Sequence, residues 1–193
     1  SFAELRNEGF TYVDKTRELY AMASGEIGKQ FFIARPRRFG KSLAVSTLKA
    51  LVEGRRALFK GLAIESLWDW SKNWPVLHLD MGSAQKPTVA ELRRRWREIL
   101  KNECSRNNVC VEDDEDPATF FERVIDALAA KSPDGRMVLL VDEYDKPLLG
   151  HLMKSDVTDF RDELKAFYSV IKTLESTQRF AFITGVSKFS KVA

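Results

Sequence analysis

Phe31-Phe32-Ile33-Ala34-Arg35-Pro36-Arg37-Arg38-Phe39-Gly40-Lys41-Ser42-Leu43 joins a short apolar run to a helical one through a basic loop. The run Phe31 to Ala34 reads as a buried strand. Ser42 to Val52 carries Leu43, Leu48, Leu51 and Val52 at helical spacing and stops before Gly54. Between a strand and a helix, Gly-Lys-Ser gathers backbone N–H groups, an ammonium and a hydroxyl at one helix N-terminus, the arrangement that cradles phosphate. Gly40 permits close backbone approach, Lys41 reaches the outer phosphates and the Ser42 hydroxyl suits Mg²⁺. The binding set read from this stretch is Arg35, Pro36, Arg37, Arg38, Phe39, Gly40, Lys41, Ser42 and Leu43. The pattern G-x-x-x-x-G-K-[ST] is not fully met, because Arg35 stands where its first glycine falls. The competing reading is a basic strand-to-helix turn at the surface.

Working outward, three further runs read as buried strands: Val76 to Met81, Met137 to Val141 and Phe180 to Thr184. Amphipathic stretches alternate with them. Thr88 and Glu91 make a capping-box pattern for a helix to about Asn102, and Asp116-Pro117 opens another to Ala130. Asp156 to Thr177 supplies the last helix before the final strand. Strands and helices in this alternation predict an α/β fold with a parallel sheet.

Met137-Val138-Leu139-Leu140-Val141-Asp142-Glu143 is an apolar strand ending in two carboxylates, about 100 residues after Gly-Lys-Ser. In phosphoryl-transfer chemistry Asp142 would hold Mg²⁺ with Ser42, and Glu143 would orient and deprotonate the attacking water. Asp145 reads as the cap of the turn Lys146-Pro147-Leu148 rather than a group of the metal shell. Thr184, at the end of the last strand, is the candidate polar sensor of the terminal phosphate. Ser187 is second, and turn hydrogen bonds alone are the alternative for both.

Composition narrows the rest. The chain has 193 residues, 44% hydrophobic, 31% charged and 11% aromatic, which fits one folded domain. Its 31 basic and 28 acidic residues give a net charge of +3, too balanced to argue for nucleic acid or a membrane surface. The apolar runs are too short to span a bilayer, and Cys104 and Cys110 read as free thiols in a reducing compartment, so a cytoplasmic location is expected. The acidic run Glu112 to Asp116 and the basic run Arg93 to Arg97 read as a solvated loop and a solvated helix face, and Trp68, Trp70 and Trp74 as core anchors. The chain opens without methionine and ends within a segment that reads as ordered, the pattern of a fragment.

With these motifs together, the chain resembles the AAA-ATPase-like family of prokaryotic P-loop proteins. The resemblance rests on Tyr12-Val13-Asp14-Lys15-Thr16, the arginine-rich loop from Arg35 to Leu43, Pro75-Val76 leading to Leu79-Asp80, Val141-Asp142-Glu143-Tyr144-Asp145-Lys146-Pro147 and Ile183-Thr184-Gly185-Val186-Ser187-Lys188-Phe189. In that family's pattern the loop lacks its first glycine, so Arg35 no longer counts against nucleotide binding. The resemblance implies a three-layer P-loop NTPase fold of the catalytic-glutamate type spanning 1–193. The sensor strand would lie between the loop strand and the acidic strand, and the fifth strand beyond Ala193. It implies ATP and Mg²⁺ as ligands, hydrolysis that drives a motor or switch, and a downstream nuclease-like domain. A homo-oligomer supplying an arginine finger is compatible with it. Tyr12 and Asp14 would border the adenine or else pack the sheet edge. The alternative function is a regulatory switch that binds nucleotide and hydrolyses it slowly or not at all. A P-loop kinase is disfavoured by the lack of a lid-like arginine segment, and a nucleic-acid role would run through Arg93, Arg94, Arg95 and Arg97.

Overall fold

The computed structural model describes residues 1–36 and 40–187. Strands β1 (Gln30–Ala34), β2 (Val76–Asp80), β3 (Met137–Asp142) and β4 (Gln178–Gly185) form a parallel sheet in the order β1-β4-β3-β2. The strand latest in the sequence therefore lies between β1 and β3. Register brings Ala34 beside Gly185, Val141 beside Ile183 and Asp80 beside Asp142, so the strands end at a common level.

Side chains alternate across a sheet with period two, and both faces are apolar here. Val138, Leu140, Phe180 and Phe182 pack with α1 (Phe2–Asn7), α2 (Thr16–Ala23) and α3 (Lys41–Val52). Leu139, Val141, Ala181 and Ile183 pack with α4 (Val89–Arg106), α5 (Pro117–Ala130) and α7 (Val157–Thr173). The result is three layers, helices over both faces of a sheet. On the second face Phe167 is sandwiched between Trp96, at 4.3 Å, and Phe121, at 4.7 Å. Truncating such a residue to alanine costs about 3–5 kcal/mol.

The ends of the elements show where sequence expectations needed adjusting. The second strand stops at Asp80 rather than Met81, because the Asp80 carboxylate accepts from the Gly82 N–H at 2.8 Å and turns the chain into a 3₁₀ segment, Met81–Ser83. Thr88 caps α4 as expected, but the helix runs past Asn102 to Arg106, where Asn107 donates its side-chain amide to the Glu103 carbonyl at 3.0 Å. Likewise α7 ends at Thr173 and a separate 3₁₀ turn, Glu175–Thr177, leads into β4.

Candidate functional site

The C-terminal ends of β1, β4 and β3 lie side by side, and the residues singled out in the sequence gather there. Gly40 takes φ +75° at the N-cap of α3, a left-handed conformation that suits glycine. The first N–H groups of a helix have no acceptor within it, so the start of α3 presents them toward the loop. Lys41 reaches back: its Nζ donates to the carbonyls of Arg35, of Pro36 at 3.3 Å and of Gly185 at 3.0 Å. Ser42 is exposed on the same turn, and Leu43 is half-buried in the α3 core. Arg37, Arg38 and Phe39 lie outside the described residues, as do Lys188 and Phe189.

Next to β1, Thr184 is fully buried, and its hydroxyl donates to Asp142 Oδ1. The Glu143 N–H is shared between that same oxygen, at 3.1 Å, and Thr184 Oγ1, at 3.4 Å. Among the described residues, both hydrogen bonds to the Asp142 carboxylate thus fall on one oxygen. Glu143 itself adopts φ +54°, which a side chain other than glycine accepts at a cost of about 1–3 kcal/mol. Its carboxylate stands 3.9 Å from Lys146 Nζ, and a Cβ on Gly82 would lie 3.2 Å from its Oε2. The bare backbone of Gly82, at the end of β2, makes room for Glu143.

Among the described residues no group of three or more His, Cys, Asp or Glu is arranged to hold a metal. Mg²⁺, however, is usually held by one or two protein oxygens together with phosphates and waters. The Asp142 oxygen not engaged by Thr184 or Glu143 and the exposed Ser42 hydroxyl on α3 are donors of the type such shared coordination uses.

Two expectations are corrected by the geometry, that for Asp145 and that for the charged runs. Asp145 occupies the N-cap position of α6 (Lys146–Leu149) but makes no capping bond, and its carboxylate reaches across to β4 instead. Asp14 is a structural anchor. Oδ1 accepts from the Thr16 N–H and hydroxyl at 2.9 and 2.6 Å, and Oδ2 from the Ala63 N–H at 2.8 Å. Tyr12 packs its ring edge-on to Phe2 at 5.3 Å. The basic and acidic runs are not separate solvated surfaces. Arg97 and Lys101 pair with Asp113 at 2.6 and 2.7 Å, and Arg93 with Asp116 and Glu163 at 3.4 and 3.5 Å. What sequence reasoning missed is the role of Tyr144 and Asp145. Tyr144 is visible in the sequence only as part of an Asp-Glu-Tyr-Asp run and Asp145 only as a local cap, and no spacing rule shows that they grip the end of a strand 41 to 43 residues away in the chain.

A cleft of about 550 Å³ opens at the opposite, N-terminal ends of the strands, lined by Tyr20, Trp68, Trp74, Asp134 and Arg179. Its Trp74 indole donates to Asp134 at 2.9 Å and Arg179 lies over that ring at 5.2 Å, so these groups fasten the sheet base. Trp68 is buried, as a core anchor should be, while Trp70 and Trp74 are half-buried around it. Gly-Lys-Ser and the acidic pair lie at the other end of the strands.

A parallel sheet covered on both faces, a strand–loop–helix carrying Gly40-Lys41-Ser42 and carboxylates at a nearby strand end define an α/β protein of P-loop-like architecture. The chain belongs to the AAA-ATPase-like family, described as predicted AAA-ATPase, whose model matches residues 1–193. It is also similar to a protein of Azotobacter chroococcum mcd 1 named "Uncharacterized protein in vnfD 5'region", with 41% identity over 196 residues. That match covers 100% of this chain and 37% of the relative's length. Among the described residues no helix is long and apolar enough to cross a membrane.

Proposed function

We propose that the chain binds ATP with Mg²⁺ and hydrolyses it. The observation that carries this reading is convergence at the strand ends: Lys41 meets the end of β4 through Gly185, and the neighbouring Thr184 meets Asp142. Family membership supports nucleotide binding. The place of β4, between the loop strand and the acidic strand, supports the catalytic-glutamate type of the fold.

In this reading the N–H groups at the start of α3 and the Lys41 ammonium bind the phosphates, which compete with the three carbonyls for Nζ. Arg35, Pro36, Arg37, Arg38, Phe39 and Gly40 complete the loop, and Leu43 contributes the backbone N–H of its place in the first turn of α3. The Ser42 hydroxyl and the Asp142 carboxylate would hold Mg²⁺, which supplies neutralisation of phosphate charge. Glu143 orients a water and takes its proton as the water oxygen bonds to the γ phosphorus and the bond to ADP breaks. Thr184, whose one hydroxyl proton goes to Asp142, keeps that carboxylate in place and senses the terminal phosphate through it. The relative extends well beyond the matched region, which leaves room for a further domain to which a motor or switch would pass its nucleotide state.

The test is a paired measurement of Mg-ATP affinity and turnover on the parent and on Glu143→Gln. Affinity should be kept while turnover falls about 100-fold or more. Normal turnover in Glu143→Gln would remove Glu143 as the base. Tight binding with negligible turnover in the parent would instead favour the slow regulatory switch, and failure of the parent to bind would sink the nucleotide reading.

A further inference from the structure

Asp145 is a carboxylate buried to 1% exposure that the chemistry above does not use. One of its oxygens, Oδ2, accepts from two successive backbone amides, Val186 at 3.0 Å and Ser187 at 2.6 Å. Tyr144 grips the same segment from both sides. Its N–H donates to the Thr184 carbonyl at 2.9 Å, and its hydroxyl donates to the Ser187 carbonyl at 2.7 Å. Burial, and then the charge of Asp145, raise the Tyr144 pKa, so the hydroxyl stays a donor. Gly185 fits only because it lacks a side chain: a Cβ there would stand 2.2 Å from Tyr144 Cε1 and 2.9 Å from Asp145 Oδ1. Tyr168 on α7 fastens the grip to the core by donating to the Tyr144 carbonyl at 2.7 Å.

The gripped residues, Thr184 to Ser187, include the two that touch the candidate site. Thr184 bonds Asp142, and the Gly185 carbonyl accepts from Lys41. A buried carboxylate is costly unless well bonded. An uncharged side chain would pack there at lower desolvation cost, but few could accept two amides on a single oxygen.

We propose that Asp145 is a positioning residue that clamps the exit of β4, through the Val186 and Ser187 amides, so that Thr184 and Gly185 stand in register with Asp142 and Lys41. This rests on the hydrolysis reading. Reacting groups tolerate little misplacement, and a shift of about 1 Å is enough to cost about 100-fold in rate. The clamp acts on turnover more than on binding, because the phosphate contacts belong to α3 and its loop.

The experiment compares the parent with Asp145→Asn and Asp145→Ala, each verified as folded by thermal melting. Asparagine still offers one oxygen to both amides, whereas alanine offers none. Hydrogen exchange at Val186 and Ser187 should quicken about tenfold or more in Asp145→Ala and stay near the parent in Asp145→Asn. Turnover per bound ATP should fall about tenfold or more in the alanine variant, with the ATP dissociation constant within about threefold, and asparagine should recover most of the rate. If Asp145→Ala does not fold, Tyr144→Phe removes only the hydroxyl on Ser187 and should show the same pattern at smaller amplitude. Unchanged exchange in the alanine variant overturns the clamp. Faster exchange with unchanged turnover per bound ATP, or a loss that only tracks the folded fraction, overturns the positioning role. A parent that binds no ATP removes the hydrolysis reading and the positioning role with it, while the exchange measurement still decides whether Asp145 holds β4.

Discussion

Two cationic regions of the molecule look alike in sequence and differ in what they face. Three arginines of the basic run on α4 meet carboxylates: Arg97 with Asp113, Arg93 with Asp116 and Glu163, Arg95 with Glu98. Lys41 meets neutral backbone carbonyls. An ammonium surrounded by dipoles keeps its full charge for an arriving anion, whereas a guanidinium already bonded to a carboxylate has little left to offer. Density of positive charge is thus a poor guide to an anion site. The partner of each cation is the better one.

The largest effect that could break this contrast is at the lysine. Lys41→Ala should weaken Mg-ATP binding about 100-fold, equivalent to about 2.7 kcal/mol, while Arg97→Ala leaves it unchanged in the same calorimetric titration. Equal losses in both would erase the distinction. At Gly185, where Lys41 docks, alanine would collide with the Tyr144 ring. Gly185→Ala should therefore lower stability by about 1–3 kcal/mol or more in denaturant melts.

A smaller effect belongs to the α4 pairs. Arg97 first, and Lys101 second, hold the Asp113 carboxyl well below the ordinary carboxylate range. A lowered folded value means the stabilisation is present at neutral pH, above the ordinary carboxylate value, and is lost as pH falls through the lowered one. Because both partners are about a third exposed, Arg97→Ala should cost only about 1 kcal/mol at pH 7 and low salt. The difference from the parent should shrink in melts taken toward strong acid. The smallest expectation is no effect at all. Replacing Arg93, Arg95 and Arg97 together should leave retention of nucleic acid on filters unaltered across a salt series, whereas true phosphate contacts would weaken steeply as salt rises.

The sheet was legible in the sequence because each strand is a short apolar run with polar or turn residues at its ends, and the helices because Thr88 with Glu91 and Asp116 with Pro117 are local signals that do not depend on the rest of the chain. The family pattern also anticipated β4 between β1 and β3. Pairing across distance was harder to read. Asp145 has the spacing of a local cap, yet two amides from the end of β4 compete for its carboxylate and win. The acidic and basic runs each look solvated when taken singly, and only packing of α4 against the loop before α5 reveals that Arg97 pairs with Asp113 and Arg93 with Asp116. The left-handed turn at Glu143 has no sequence signal, since glycine is the residue that usually announces one.

The strand order also bears on how such a chain is made. β1 pairs with residues about 150 positions later in the chain, and β3 waits on the same strand for its second neighbour. As the polypeptide emerges from the ribosome, α3 and its loop can form early, but β1 stays without a partner until β4 has been synthesised. Ordering by distant contacts is slow, and unpaired strand edges attract other chains meanwhile. Closure of the sheet by its last strand is then the step that brings Lys41, Thr184 and Asp142 together, so a chain that stalls before β4 carries the Gly-Lys-Ser turn without the rest of the candidate site.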